Sequence, residues 1–172
     1  MNLQINKLQN ARVYLNGTDF IGRAEEIDLP KIKTKTSDAK GLGMMGELVL
    51  PGGLDKMESR IKFNSVYADA IKVIANPRKA ATVICRASLE VWDQTGVSAE
   101  QPVKAELRGF FKDSDSGKLK GRESAEAEAT LDVFYYKLTI NEEELVEIDV
   151  MNNIWKVAGE DILANYKTNI GG

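Results

Sequence analysis

Histidine is absent from this 172-residue chain, and cysteine occurs once, as Cys85. The chain therefore lacks the commonest general base and the imidazole ligand of many zinc sites, and it cannot form an internal disulfide. Zinc chemistry is excluded on this ground, and catalysis would have to depend on Asp, Glu, Lys or Ser. We expect neither a metal nor a cofactor, and we do not expect an enzyme.

The sequence also lacks long hydrophobic runs and an excess of basic residues. No segment reaches the roughly 18 apolar residues of a membrane span, and residues 1–10 lack the apolar core of a signal peptide. Lys and Arg total 23 against 26 Asp and Glu, and the net charge of -3 offers no footprint for a phosphate backbone. We therefore expect a protein kept in a cytoplasm, without stable membrane association or specific nucleic-acid binding.

What is present indicates one β-rich domain over residues 1–172. The composition, 43% hydrophobic and 28% charged, is that of a globular protein, and the length suits one core. Apolar and charged residues alternate with period two in several segments, which is typical of half-buried strands. These segments are 25–36, 56–63, 81–92, 103–111, 125–134 and 145–148, and they follow a hairpin that turns at Asn16-Gly17.

Two short helices are predicted within this β pattern. Asn64 or Ser65 can cap an internal helix that ends at Asn76-Pro77, and residues 161–169 predict a C-terminal helix. Residues 123–131 are rich in the helix formers Ala and Glu, but a helix there would scatter its charges around the axis, so we favour a strand. The expected fold class is mainly β, a sandwich or barrel-like domain with a minor helical part.

Residues 37–53 contain five glycines and a proline, too many for the interior of a regular element, although 47–50 suit a short strand. We interpret the segment as a long flexible loop that a partner would order, carried by the strands on either side as one large hairpin arm. The run 41–46 has the dinucleotide-binding pattern G-x-G-x-x-G. That pattern needs a following helix, which Pro51-Gly52-Gly53 prevents.

Asp113, Asp115 and Gly117 resemble the start of a calcium-binding loop. Lys118 and Ser124 stand where such a loop needs a glycine and a bidentate glutamate. A turn that uses Asp, Ser and Gly for their backbone preferences is the better interpretation.

Glu126, Glu128 and Asp132 could supply a carboxylate pair for acid–base chemistry. Their alternation is more typical of one solvated face of a strand. Several strands carry whole rows of charged residues opposite rows of apolar ones, and exposed strand edges invite pairing with neighbouring chains. The pattern indicates a sheet that self-assembles.

Sequence blocks spread over nearly the full chain occur in the same order in one known family. The blocks are 10–17 (NARVYLNG), 27–32 (IDLPKI), Gly43-Met44, 135–140 (YYKLTI), 147–149 (EID), Asn152 and 159–161 (GED). With them the chain resembles the major tail tube protein of contractile-tailed bacteriophages and of phage-tail-like bacteriocins, or tailocins.

The resemblance implies a structural subunit whose rings, hexameric in the family, stack into a hollow tube inside a contractile sheath. Each subunit would give four strands to a continuous inner barrel, and we predict 25–36, 56–63, 103–111 and 125–134 for these. Six subunits of four strands, with strands about 4.8 Å apart and tilted roughly 40°, give a backbone diameter of about 48 Å and a lumen of about 40 Å. Such a tube would carry DNA or puncture a membrane.

The implied partners are further copies of the chain, the sheath, the baseplate or initiator, the tape measure and the tail terminator. Assembly would take place in the host cytoplasm, and the product would be a virion tail or a tailocin. Two alternatives stay open. One is the tube protein of a contractile secretion system, which shares the fold and would carry proteins; the other is a carboxylate-dependent hydrolase, which would be a monomer with a pocket.

The resemblance also assigns candidate site residues. Four residues would face the lumen, where a negative wall would repel phosphate and let DNA pass without specific binding: Glu126, Glu128, Thr130 and Asp132. The loop 37–53 would contact the next ring through Leu42, Gly43, Met44, Met45, Leu48 and Leu50.

Overall fold

The computed structural model describes residues 3–123 and 125–171, which form mostly strands with two short helices. The strands are β1 (Ile5–Leu15), β2 (Thr18–Asp19), β3 (Ala24–Asp28), β4 (Thr34–Ala39), β5 (Leu48–Leu54), β6 (Met57–Phe63), β7 (Ala81–Asp93), β8 (Gly96–Asp115), β9 (Ala127–Ile140), β10 (Glu143–Asp149), β11 (Ile154–Val157) and β12 (Glu160–Asp161). The helices are α1 (Ala68–Ile74) and α2 (Ala164–Asn169). Neither of these helices has the length or the apolar character to cross a membrane.

The main sheet is antiparallel and is organised by two long strands that change partners. Its order is β12-β11-β10-β9-β8-β7-β1-β2, and β6 joins β9 to β3. β8 pairs with β7 as far as Gly109 and with β9 through Asp115. β9 pairs with β6 up to Val133 and with β10 from Tyr135 onward. The sheet therefore bends over its own apolar face, which confirms the sandwich or barrel-like class.

The core follows from the period-two alternation of β6 and β9. Ile61 and Leu131 have no exposed surface, and the rings of Phe20 and Phe63 pack with centroids 5.7 Å apart. α1 closes one side of the core with Ala70 and Ile74. Cys85 belongs to this core, and burial raises the pKa of its thiol, so it is a packing residue rather than a reactive one.

The strand predicted at 125–134 is confirmed, because β9 is hydrogen-bonded to β6 on one side and to β8 on the other. These ladders and the buried alanines outweigh the helix propensity of Ala and Glu. The predicted hairpin turn is also confirmed. Asn16 and Gly17 take φ values of 48° and 83°, as a tight turn of this type requires.

Some predicted boundaries are wrong. The single strand expected at 25–36 is two strands, since β3 ends at Asp28 and β4 begins at Thr34, with Pro30 between them. β8 does not end at Phe111 but continues to Asp115, because β9 supplies backbone partners from Val103 to Asp115.

The helix starts also differ from the prediction. α1 begins at Ala68 with Tyr67 at its N-cap, and no side chain caps it. The Asn64 side chain instead donates to the Gly22 carbonyl at 2.7 Å. α2 begins at Ala164, because Asp161 lies in β12 and its Oδ1 accepts a hydrogen bond from the Leu163 backbone N–H at 3.0 Å.

Candidate functional site: a charged sheet face and a hairpin arm

Four strands lie side by side in the order β3-β6-β9-β8, and each belongs to one of the four segments predicted for an inner barrel. Their buried residues point into the core, and their charged residues lie on the opposite side. We call this outer side the charged face. It carries Glu26, Asp28, Lys56, Glu58, Arg60, Lys62, Lys112, Asp113, Asp115, Glu128, Thr130 and Asp132, with Glu25 and Glu126 at its margin.

Arg60 lies in the middle of the charged face and contacts a carboxylate on each neighbouring strand. Its Nε is 3.2 Å from Asp28 Oδ2 on β3, and its Nη1 is 3.4 Å from Glu128 Oε1 on β9. The register explains this arrangement, since Arg60 is opposite Asp28 on one side and Thr130 on the other. The charges of Glu128 and Asp28 raise the pKa of the Arg60 guanidinium, so it stays cationic.

Lys62, two residues after Arg60 in β6, also lies between two carboxylates. Its Nζ is 3.2 Å from Glu126 Oε2 and 3.4 Å from Glu25 Oε2. Hydrogen bonds to Glu126 and then to Glu25 raise the pKa of the Lys62 ammonium. Lys62 is therefore held charged between acidic residues from both sides of its strand.

Lys112 on β8 contacts Glu58 of β6 and lies 3.3 Å from Asp132 Oδ1 of β9. The hydrogen bond with Glu58 raises the pKa of Lys112 and lowers that of Glu58. Asp132 Oδ1 is buried but accepts no hydrogen bond, so its link to Lys112 is a charge contact alone.

The acidic row predicted on the strand at 125–134 is present, with Glu126 just before the start of β9, but it is not isolated. Glu126, Glu128 and Asp132 each contact a cation supplied by β6 or β8, and Thr130 lies opposite Arg60. Carboxylates still outnumber cations on the charged face. Sequence reasoning missed the cations as part of the site because alternation shows which side of a strand a residue faces but not which strand lies next to it. Whether this face lines a lumen stays a prediction.

The segment predicted as a flexible loop at 37–53 is largely paired, which corrects that interpretation. β4 and β5 form a two-stranded ribbon in which Thr34 is opposite Leu54 and Ala39 is opposite Leu48. Gly52 is accepted in β5 because it lies against the other strand, where a Cβ would come within 3.1 Å of the Lys35 carbonyl oxygen. We call residues 34–54 the arm and residues 40–47 its tip.

The arm is apolar and exposed. Leu42 and Met45 at the tip are fully exposed, and Met44, Leu48, Val49 and Leu50 each expose between 44% and 56% of their surface. An ion pair of 2.6 Å between Lys40 and Glu47 closes the tip. Of the residues predicted to contact another ring, Leu42, Gly43, Met44 and Met45 are in the tip, and Leu48 and Leu50 are in β5.

The turn predicted at 113–117 begins later than expected, because Asp113 and Asp115 are paired with β9 as the last part of β8. Asp115 Oδ1 accepts a hydrogen bond from the Gly117 N–H at 2.9 Å, so this acidic segment binds its own backbone. The glycine-rich tip continues into β5 rather than a helix, as expected. Over residues 3–123 and 125–171, the structure contains no group of three or more Cys, Asp or Glu side chains arranged to hold a metal ion.

Comparison with known proteins decides the family. A family model described as phage tail tube protein FII matches residues 5–171. The tail tube protein of Escherichia phage P2 is 33% identical over 168 residues, which cover 96% of each chain. The chain belongs to the phage tail tube protein FII family. The major tail tube protein of Serratia phage KSP20 is 28% identical over 158 residues, covering 91% of this chain and 90% of that protein.

Solved structures show the same fold. The sheath/tube terminator of an extracellular contractile injection system aligns with a TM-score of 0.53 at 11% identity, over 75% of this chain and 92% of that one. A chain of the sheath-tube complex of such a system aligns with a TM-score of 0.54 at 11% identity, over 75% of this chain and 87% of that one. The predicted family and its role as a tail tube protein are confirmed, and these relatives are structural proteins.

Proposed function

We propose that this tail tube protein assembles into hexameric rings that stack into a hollow tube, with the charged face lining the lumen. The observation that supports ring closure is a pair of free strand edges. Among the described strands, β3 pairs with β6 alone, and β8 beyond Gly109 pairs with β9 alone. These edges are on opposite sides of the four-stranded unit β3-β6-β9-β8, and unpaired edges are the usual sites of strand addition.

The two edges are compatible in length and direction. β3 has five residues, and the free part of β8 covers 110–115. Because every pairing across the unit is antiparallel, β3 and β8 run in opposite directions. A copy rotated about the tube axis would therefore set its β3 antiparallel to the β8 of its neighbour. Repeating this contact closes a barrel that leaves no edge exposed.

The arm supplies the contact between rings. An isolated two-stranded ribbon is only marginally stable in water, and this one exposes apolar residues on both faces. The ladder from β3 and β6 continues past Asp28 through a hydrogen bond from the Asp55 N–H to the Lys33 carbonyl at 2.7 Å. The arm thus leaves the sheet at the Asp28 end, where a ring stacked beyond that end can cover its leucines and methionines.

In this assembly the excess of carboxylates on the charged face makes the lumen negative, so a DNA duplex passes without being bound. The outer surface then contacts the sheath, and the tube ends contact the baseplate or initiator, tape-measure and terminator proteins. The role is structural rather than catalytic, with assembly in the host cytoplasm and function in the virion tail or a tailocin.

Paired cysteines test ring closure. In a Cys85→Ala background, Glu26→Cys is combined with Asp113→Cys or with Asp115→Cys, and tubes grown on an initiator complex are oxidised. Within one subunit these positions are three strand spacings apart, about 14 Å, which is too far for a disulfide. We expect a non-reducing gel to show a ladder ending at the hexamer. Tubes visible by electron microscopy that give no ladder with either pair would contradict the proposed edge.

A further inference from the structure

Three cations of the charged face each lie between two carboxylates from different segments, and a fourth, Lys56, contacts Glu58 alone at 2.9 Å. Arg60 contacts Asp28 and Glu128, Lys62 contacts Glu25 and Glu126, and Lys112 contacts Glu58 and Asp132. Elsewhere in the described chain, the pairs formed by Lys40 with Glu47 and by Lys120 with Glu123 each join a single cation to a single carboxylate. Among the described residues, cations with two carboxylate partners are thus found on this face alone.

A cation with two carboxylates presents a net negative charge to an approaching anion. A single exposed ion pair is weak and opens readily, but a phosphate that bound Arg60 would have to displace carboxylates on both sides. Each displaced carboxylate would then face the phosphate at short range, which adds repulsion. Arg60 and Lys62 are therefore poor partners for a nucleic-acid backbone, although such residues usually bind it.

The cations also keep the acidic strands together. Glu26 and Asp28 on β3, Glu58 on β6, and Glu128 and Asp132 on β9 lie on adjacent strands, where like charges destabilise pairing. Each cation with two partners links carboxylates from two segments and so opposes that repulsion. A wall made only of carboxylates would repel DNA but would also weaken its own sheet.

We propose that these paired carboxylates mask the lining cations from the phosphates of a DNA duplex, so that the wall is held together by Arg and Lys without binding DNA through them. The proposal rests on the charged face lining the tube. It makes Asp28, Glu128, Glu25 and Glu126 determinants of non-adhesion, and their effect depends on the cation that they contact.

The test releases one cation at a time. Asp28→Asn with Glu128→Gln frees Arg60, and adding Arg60→Gln to this pair removes the freed cation. Glu100→Gln with Glu143→Gln changes the net charge equally at two exposed positions outside the charged face and is the matched control. A fluorescein-labelled 20-base-pair duplex is titrated against assembled tubes and, separately, against the monomer at low salt, and retention is measured with increasing salt.

We expect the Arg60-freeing pair to retain the duplex about tenfold more strongly than the control pair, with a steeper salt dependence because phosphate contacts release counterions. The triple variant should return to the control. A second pair, Glu25→Gln with Glu126→Gln, should act in the same way through Lys62. Electron microscopy and melting temperatures of the same samples show that the variants fold and assemble.

Two results would overturn the masking proposal. One is that the Arg60-freeing pair retains no more duplex than the control pair. The other is that the triple variant retains as much duplex as the Arg60-freeing pair. A chain that never forms tubes with its initiator would instead contradict the proposed assembly. In that case the monomer titration still reports whether paired carboxylates mask Arg60, so the two failures are distinguishable.

Discussion

At the scale of single residues, Tyr135 belongs to a polar network outside the charged face. Its hydroxyl donates a hydrogen bond to Glu147 Oε1 at 3.0 Å, and Lys156 Nζ lies 3.1 Å from Glu147 Oε2. Burial, together with this hydrogen bond to an anion, raises the pKa of Tyr135 to about 12. Burial of the Glu147 carboxyl acts to raise its pKa, but the bonds from Lys156 and Tyr135 prevail and lower it.

The raised pKa of Tyr135 predicts a specific loss of stability in alkali. An unfolded tyrosine ionises near pH 10, whereas the folded phenol stays neutral until about pH 12. The stabilisation is therefore complete below about pH 10 and is lost as the pH rises toward 12. In urea denaturation at pH 9 to 11.5, the free energy of unfolding of Tyr135→Phe should fall less steeply with pH than that of the wild type. Tyr166→Phe, at an exposed tyrosine, is the control; equal slopes for both variants would contradict the linkage.

At the scale of elements, β8 depends on the bulge at Arg108 and Gly109, where it passes from pairing with β7 to pairing with β9 alone. A Cβ on Gly109 would lie 2.1 Å from the Asp132 carbonyl oxygen, which is backbone and cannot move aside. Gly109→Ala should therefore reduce the free energy of unfolding by about 3 kcal/mol. Gly46→Ala, where a Cβ meets nothing within 4 Å, should change it little. Thermal and urea unfolding compare the two, and equal stabilities would show that the bulge relaxes.

Most elements are predictable from the sequence because alternation fixes which side of β6 and β9 is buried. The break between β3 and β4 is not predictable in this way. The period-two pattern continues past Pro30 with Lys31, Lys33 and Lys35, although the chain leaves the sheet there. The pairing of β4 with β5 is hidden by glycines, which have low strand propensity but are accepted where the partner backbone approaches closely. The contacts of Arg60 and Lys62 depend on cross-strand register, a long-range property that no local pattern contains.

At the scale of the whole molecule, the contacts proposed for assembly point in different directions. The free edges of β3 and β8 lie at the two sides of the charged face and would join subunits around a ring. The arm leaves the end of the same strands marked by Asp28 and Met57, and Ala24 and Phe63 mark the opposite end. When identical rings stack with one polarity, the arm end of one ring meets the opposite end of the next, a head-to-tail contact that repeats without limit.

This separation of contacts predicts that shortening the arm stops stacking without preventing ring closure. Ala39 and Leu48 are paired, so replacing residues 40–47 by Asn-Gly gives a tight hairpin with the register kept. The melting temperature should stay near that of the wild type, because the tip contributes nothing to the core. With an initiator complex, electron microscopy should show single rings or very short stacks in place of long tubes.

Leu42→Ser with Met45→Ser keeps the length of the arm and should also give shorter tubes, since those apolar side chains make the contact. Tubes of normal length from the shortened arm would place the contact between rings elsewhere on the subunit.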